Sequence, residues 1–302
     1  MDRTEESLAA ALAGGDHQVN LGFDGLHARG QEFQSVVQAL GATAFALAGD
    51  EENVRALFLP PLITAENIKK TNYLASMPNL AGEVESFQGN DKDHRRLVQA
   101  LEEGGEGWED FFSPTGLVNL PAACENLYPL YAGRLDEPVR VGLQSWCFRF
   151  EPSPDPMRMV SFRMAEQVYI GTEDGAAAHA HSWSGKLLGL LTDLGLDVDS
   201  ESANDPFFGR AGRMLAGAQT ENDLKHELTV QLYPTRRTAL GSINLHGTMF
   251  GENFGITLAD GSPAHSSCAG FGLERAAIAL FAFHGMAVAD WPAAVRDRLG
   301  LA

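Results

Sequence analysis

Residues 266–281 read SSCAGFGLERAAIALF. A thiol (Cys268), two glycines (Gly270 and Gly272) and a cation (Arg275) fall close together there. A thiolate can hold a soft metal or attack an electrophile. Glycines before a helix let the backbone come close to a ligand. A dinucleotide-binding reading fails, because no third glycine and no βαβ unit follow. The run AAIALFAF (276–283) is apolar nearly all round, which predicts a buried helix. Arg275 would sit in its first turn, where a cation opposes the helix dipole. Either an anion such as a triphosphate or a local carboxylate must compensate it.

Other reactive side chains lie on runs of alternating polarity. In SWCFRFE (145–151), Ser145, Cys147, Arg149 and Glu151 face one way, and Trp146, Phe148 and Phe150 the other. The Pro-rich PSPDP (152–156) breaks that run, and MVSFRMAEQVYI (159–170) resumes it with Phe162, Met164 and Glu166 on one face. Lys225, Glu227, Thr229 and Gln231 share a face of LKHELTVQLY (224–233), and Ser242, Asn244 and His246 a face of GSINLHG (241–247). Each run alone reads as a half-solvated antiparallel strand. Arg, Glu, Lys and Asn recurring on the polar faces point instead to a working surface. His246 reads as a core or supporting histidine.

The elements that must position these residues are read as one domain, 1–302, of α+β class. Residues 1–54 are predicted mainly helical, with Phe33, Val36, Val37 and Leu40 at helical spacing and looser chain around Gly22, Gly25 and Gly30. Segment 55–64 is a strand interrupted by Pro60-Pro61, and 86–112 is helix and loop. From 113 onward, short strands alternate with turns.

Bulk properties narrow the partners. The 302 residues carry a net charge of −18, which disfavours broad contact with a nucleic-acid backbone. No long apolar run exists, so no membrane span is expected. The acidic N-terminus lacks the pattern of a secretory signal. Three widely spaced cysteines (Cys124, Cys147, Cys268) predict no disulfide framework and a reducing, cytoplasmic setting.

FRFE (148–151), a loop, then SFRMAE (161–166) resembles motif 2 of class II aminoacyl-tRNA synthetases, and GFGLER (270–275) resembles motif 3. FLPPLITAENIKKTNYLASMPNL (58–80) is similar to the seryl-tRNA synthetase segment at and after motif 1, and KHEL (225–228) and SIN (242–244) fit later strands of that enzyme. CENLYPLY (124–131) and DPFFGRAGRMLA (205–216) narrow the resemblance to the amino acid:[carrier protein] ligases, truncated relatives of the atypical, zinc-containing seryl-tRNA synthetases. The resemblance implies an antiparallel sheet flanked by helices, a homodimer formed around Pro60-Pro61, and no tRNA-binding arm. It implies activation of a small amino acid, glycine or alanine, with ATP, and transfer to the phosphopantetheine thiol of an acidic carrier protein. Aminoacylation of tRNA or another acceptor, and a silent regulatory paralogue, are the rival readings.

It also assigns roles. Arg149 would bind the α-phosphate of ATP, Glu151 the adenine amino group, and Phe162 and Arg275 would sandwich the adenine ring. Arg158 is a further phosphate candidate, and Lys225, Glu227, Ser242 and Asn244 are further site residues. Cys124, Glu166 and Cys268 would hold Zn²⁺ with one position open for substrate. Their spacing alone carries no metal signal and favours ordinary buried thiols. The Mg²⁺ site is less defined: RRTALG (236–241) lacks the acid that related synthetases carry, which leaves Glu227 as the substitute. Arg210 and Arg213, three apart on a predicted helix within 205–223, would either dock the acidic carrier or stand solvated. Arg236-Arg237 is the second docking candidate.

Overall fold

The computed structural model describes residues 4–49, 54–205, 207–209 and 224–301. Arg210 and Arg213, with most of the predicted 205–223 helix, lie outside the described residues.

The chain opens with a helix, Glu5–Gly14, whose Thr4 side chain caps it by accepting from the Ser7 amide. The stretch read as looser chain is instead a hairpin, β1 (Val19–Phe23) and β2 (Leu26–Ala28). Asp24-Gly25 closes it, with Gly25 at φ +79. Its strands are largely exposed, so no buried face marks it in the sequence. The helix Gln31–Ala46 follows and buries Phe33, Val36, Val37 and Leu40, as their spacing predicts.

Pro60-Pro61 separates β3 (Val54–Phe58) from β4 (Leu62–Thr64). β4 joins β5 (Glu83–Phe87) and β6 (Phe112–Asn119) in a small sheet, ordered β4-β6-β5. After β7 (Gly133–Arg134) come the long strands β8 (Val139–Phe148), β9 (Ser161–Gly171), β10 (Val198–Ser202), β11 (Lys225–Tyr233) and β12 (Arg236–Gly247), then β13 (Ile256–Thr257) and β14 (His265–Gly272). The main sheet runs β10-β11-β12-β14-β9-β8-β3 and is antiparallel except for the β3–β8 pair.

Register explains why one face does chemistry. Glu227 pairs with Ser242, Ser242 with Gly270, and Gly270 with Glu166. The next row in step joins Lys225, Asn244, Cys268 and Val168. Rows two residues apart share a face. The other face carries Ala165, Leu228, Val230, Ile243, Ala269 and Phe271 into the main core. The helices Glu173–Asp193 and Leu273–His284 supply Trp183, Leu187, Ile278 and Phe281 to the same core. The alternation read over 224–233 and 241–247 is thus the division between core face and site face, whereas in 145–151 the apolar Trp146 and Phe150 are exposed and Ser145 and Cys147 are buried. One boundary differs: β8 ends at Phe148, because Pro152 and Pro154 turn the chain, although the Arg149 amide still donates to the Val160 carbonyl.

The core face holds a titratable group whose effect on stability can be signed. His179 is buried, with Nδ1 2.8 Å from Ser267 Oγ, and burial pushes its imidazole down from 6.5 to about 3. The unfolded chain therefore takes up this proton first as pH falls. His179 holds stability fully above pH 6.5 and loses it toward pH 3. Between pH 7 and 5 the wild type is expected to lose about 2 kcal/mol more than His179→Gln, at about 1.4 kcal/mol per pH unit. Urea unfolding at both pH values checks this; equal losses in the two proteins would refute it.

Candidate functional site

The site face forms the floor of a cavity of about 450 Å³, within the range of small-molecule sites. Of the residues singled out by sequence, Cys124, Arg149, Phe162, Glu166, Lys225, Glu227, Ser242, Asn244, His246, Cys268 and Arg275 all line it. Glu151 and Arg158 are not in the lining. They pair with each other at 2.5 Å on the loop after β8.

Three of these residues form one cluster. Cys124 Sγ, a Glu166 carboxylate oxygen and Cys268 Sγ lie within 4.8 Å of one another, all buried. Cys124 stands on the short 3-10 turn Ala123–Asn126, and Glu166 Oε1 accepts the Ala123 amide at 2.9 Å and the Cys124 amide at 3.3 Å. Asn244 Nδ2 donates to Cys268 Sγ at 3.4 Å. Cys147, also buried, lies outside the cluster.

The protonation pattern follows from crowding. A hydrogen bond to Cys268 pushes Cys124 well above the ordinary thiol value, and burial pushes it further. The same bond holds Cys268 well below it against burial. Burial, then the charge of Cys268, lifts Glu166 to about 7. Two sulfurs and a carboxylate thus compete for protons, and among the described residues no Lys or Arg pairs with Glu166. A divalent metal fits this donor set: it would compensate the charge of all three groups, and three protein ligands leave a fourth position.

Gly270 makes room for the cluster. A Cβ at Gly270 would stand 2.6 Å from Glu166 Cγ. The close approach expected of this glycine is to a protein side chain. Gly272 differs: a Cβ there would meet only Arg275, at 3.8 Å and beyond. Gly270→Ala is expected to push Glu166 aside and weaken metal binding by roughly 10–100-fold, as when a ligand loses its support. Gly272→Ala should change it little. Metal titration with a competing chelator checks both; equal affinities in wild type and Gly270→Ala would overturn the reading.

The other end of the cavity is cationic. Arg149 Nε donates to the Pro121 carbonyl at 2.9 Å, and its guanidinium lies 5.6 Å from the Phe162 ring centroid. Arg275 donates to the carbonyls of Met157 (2.8 Å) and Ala239 (3.3 Å). Among the described residues no carboxylate pairs with either arginine. Burial, then repulsion by Arg149, pushes Arg275 below its ordinary range. Among the described residues the local carboxylate considered for Arg275 is therefore not its partner, and both guanidiniums are left able to meet an anion. Lys225 differs, with Nζ 2.6 Å from Asp205 and 3.1 Å from Glu227. Glu227 is consequently already engaged.

Several lining or supporting groups escaped the sequence reading. Among the described residues Tyr73 Oη and Glu125 Oε2, buried on the cavity wall, have no hydrogen-bond partner, and burial lifts Glu125 to about 8. Glu125 follows Cys124 directly, which is the one signal that could have found it. Glu274, fully buried, accepts the amide and Nε of Arg163 at 2.6 and 2.7 Å and so ties the helix of Arg275 to β9.

No protein-family model matches the chain. It is 40% identical over 288 residues to amino acid–[acyl-carrier-protein] ligase 1 of Bradyrhizobium diazoefficiens, which covers 93% of this chain and 87% of that protein. Its fold matches the crystal structure of Methanopyrus kandleri seryl-tRNA synthetase solved with Aquifex aeolicus tRNASec, at a TM-score of 0.83 and 21% identity. That match covers 100% of this chain but 60% of the synthetase chain. Pyrococcus horikoshii seryl-tRNA synthetase, solved with ATP, gives a TM-score of 0.70 at 14% identity, over 98% of this chain and 62% of that one. At such identities the two structures establish the class II synthetase catalytic fold and nothing finer. The identity to the ligase spans nearly the whole chain, and on that ground the chain belongs to the amino acid–[acyl-carrier-protein] ligase family.

Proposed function

We propose that this chain activates a small amino acid, glycine or alanine, with ATP and passes it to the phosphopantetheine thiol of an acidic carrier protein. The observation that carries the reading is one cavity holding a buried Cys–Glu–Cys cluster and two arginines that, among the described residues, have no carboxylate partner. In the first step a carboxylate oxygen of the amino acid attacks the α-phosphorus. The bond to pyrophosphate breaks, and an aminoacyl-adenylate forms. Arg149 neutralises the charge developing on the α-phosphate oxygens, and Arg275, with Phe162, holds the nucleotide. In the second step a thiolate attacks the acyl carbon, the mixed-anhydride bond breaks, and AMP leaves.

Cys124, Glu166 and Cys268 would hold Zn²⁺, which when bound supplies a Lewis-acidic position for the neutral α-amino group. Glu151 and Arg158 would close over the adenine and phosphates by parting from each other. Lys225, Glu227, Ser242 and Asn244 would contact the bound substrates, with Glu227 the candidate for Mg²⁺. Arg210 and Arg213 remain the proposed carrier contacts, with Arg236-Arg237 second. With a net charge of −18 the chain would repel an acidic carrier unless such a local basic patch exists, and the same charge speaks against tRNA. We further propose one catalytic unit that pairs as a homodimer through the Pro60-Pro61 region. Phe58, beside it on edge strand β3, is 76% exposed. Among the described residues no helix is long and apolar enough to cross a membrane. The three free cysteines fit a reducing cytoplasm.

Pyrophosphate exchange run across the twenty amino acids, followed by incubation with a phosphopantetheinylated carrier, tests the reading. Exchange with one small amino acid and a hydroxylamine-labile acyl thioester on the carrier are expected. Exchange with none, or loading of tRNA and not the carrier, would overturn it.

A further inference from the structure

The loop 149–160 carries Arg149, Glu151 and Arg158, and it is pinned at one buried carboxylate. Asp155 is 3% exposed. Its Oδ1 accepts the Met157 amide at 3.0 Å and the Tyr233 hydroxyl at 2.5 Å; its Oδ2 accepts Arg236 Nη2 at 2.5 Å. Its carbonyl accepts the Arg158 amide at 2.9 Å. Tyr233 and Arg236 flank the tight turn between β11 and β12, and the Arg236 guanidinium lies 4.7 Å from the Tyr233 ring centroid. Arg236 also reaches Glu5 of the first helix at 2.7 Å. Both arginines of the second docking candidate are thus engaged internally, since Arg237 pairs with Asp199 at 3.0 Å and donates to the Thr229 carbonyl at 2.7 Å.

The turn so fixed is in contact with the nucleotide end of the cavity. The Met157 carbonyl accepts Arg275 Nε at 2.8 Å. On the opposite side of the loop, the Val160 amide donates to the Gly25 carbonyl at 3.0 Å, and Gln18 Nε2 donates to the Pro156 carbonyl at 3.3 Å. Two separate parts of the chain therefore hold the loop from outside. The core of the arrangement is a charge-assisted network, and such bonds are the strong ones.

We infer that Asp155 is a positioning residue: clamped by Tyr233 and Arg236, it sets the 155–158 turn and thereby aims Arg275 before nucleotide arrives. It touches no reacting atom. Its effect is on pre-organisation, so losing it raises the cost of ordering the loop around ATP and leaves the amino-acid end of the cavity alone. This rests on the nucleotide role given to Arg275 above.

Two measurements on the full chain test it, using Asp155→Asn, Tyr233→Phe and Arg236→Gln. Amide hydrogen exchange across 152–160 is expected to quicken in all three without ligand present. ATP affinity should fall by about tenfold in Asp155→Asn and less in the other two, with the KM for the amino acid within about twofold of wild type. If Asp155→Asn fails to fold, Tyr233→Phe, which removes one hydroxyl, and Arg236→Gln, at a half-exposed side chain, decide the matter. Unchanged exchange in the loop would overturn the clamp. ATP and amino-acid constants rising together would overturn its specificity for the nucleotide. A wild type that binds no ATP would defeat the functional reading itself, and the exchange arm would still judge whether Asp155 holds the loop.

Discussion

Replacing Arg149 by alanine is expected to lower amino-acid-dependent pyrophosphate exchange by about 10³-fold, or about 4 kcal/mol of transition-state stabilisation. The physical reason is the absence of any substitute. Among the described residues Arg149 is held by a backbone carbonyl and the Phe162 face, not by a carboxylate, which leaves its charge to meet a ligand. Arg275, which lines the same cavity, is fixed by two carbonyls from other segments and is not placed to replace it. Arg149→Lys should recover little, because an ammonium cannot keep both the Pro121 carbonyl and a phosphate in the planar fork of a guanidinium. Most of the loss should fall on kcat, since the charge it meets grows toward the transition state. Thermal unfolding of the variant distinguishes this from misfolding. Exchange within about tenfold of wild type in a folded Arg149→Ala protein would remove this arginine from the chemistry.

Cys268→Ala is expected to abolish both bound metal and amino-acid-dependent exchange. Cys147→Ala should keep both. The two cysteines are equally buried, and the loss of a small buried thiol costs each about 1 kcal/mol of stability. They differ in their surroundings. Cys268 lies with Cys124 and Glu166 and is held toward thiolate, whereas burial pushes Cys147 well above the ordinary value. Elemental analysis of the two purified variants beside wild type separates a metal role from a packing role. Metal retained in Cys268→Ala, or lost in Cys147→Ala, would contradict the assignment.

What could be read from residues alone follows from periodicity. Alternation over 224–233 and 241–247 already separated the site face from the core face, because side chains on a strand alternate strictly. Glu166 and Cys268 could be joined only through the resemblance: the register that sets Gly270 beside Glu166 is a property of the sheet and leaves no mark in spacing. The same limit hid Asp155 and Glu274. Their partners, Tyr233 and Arg163, lie 78 and 111 residues away. Tyr73 and Glu125 were hidden for a different reason. What sets a buried tyrosine or glutamate apart is which polar atoms it leaves unpartnered beside a cavity, and that is visible only in three dimensions. The β1–β2 hairpin was missed because both its strands are exposed, so burial imposed no pattern on them.

The most direct test takes one preparation of the wild-type chain and measures metal content and amino-acid-dependent exchange before and after stripping with a thiol-competent chelator. About one zinc per chain, loss of exchange on stripping and its return with added zinc are predicted. Undiminished exchange in protein shown to hold no metal would contradict the account.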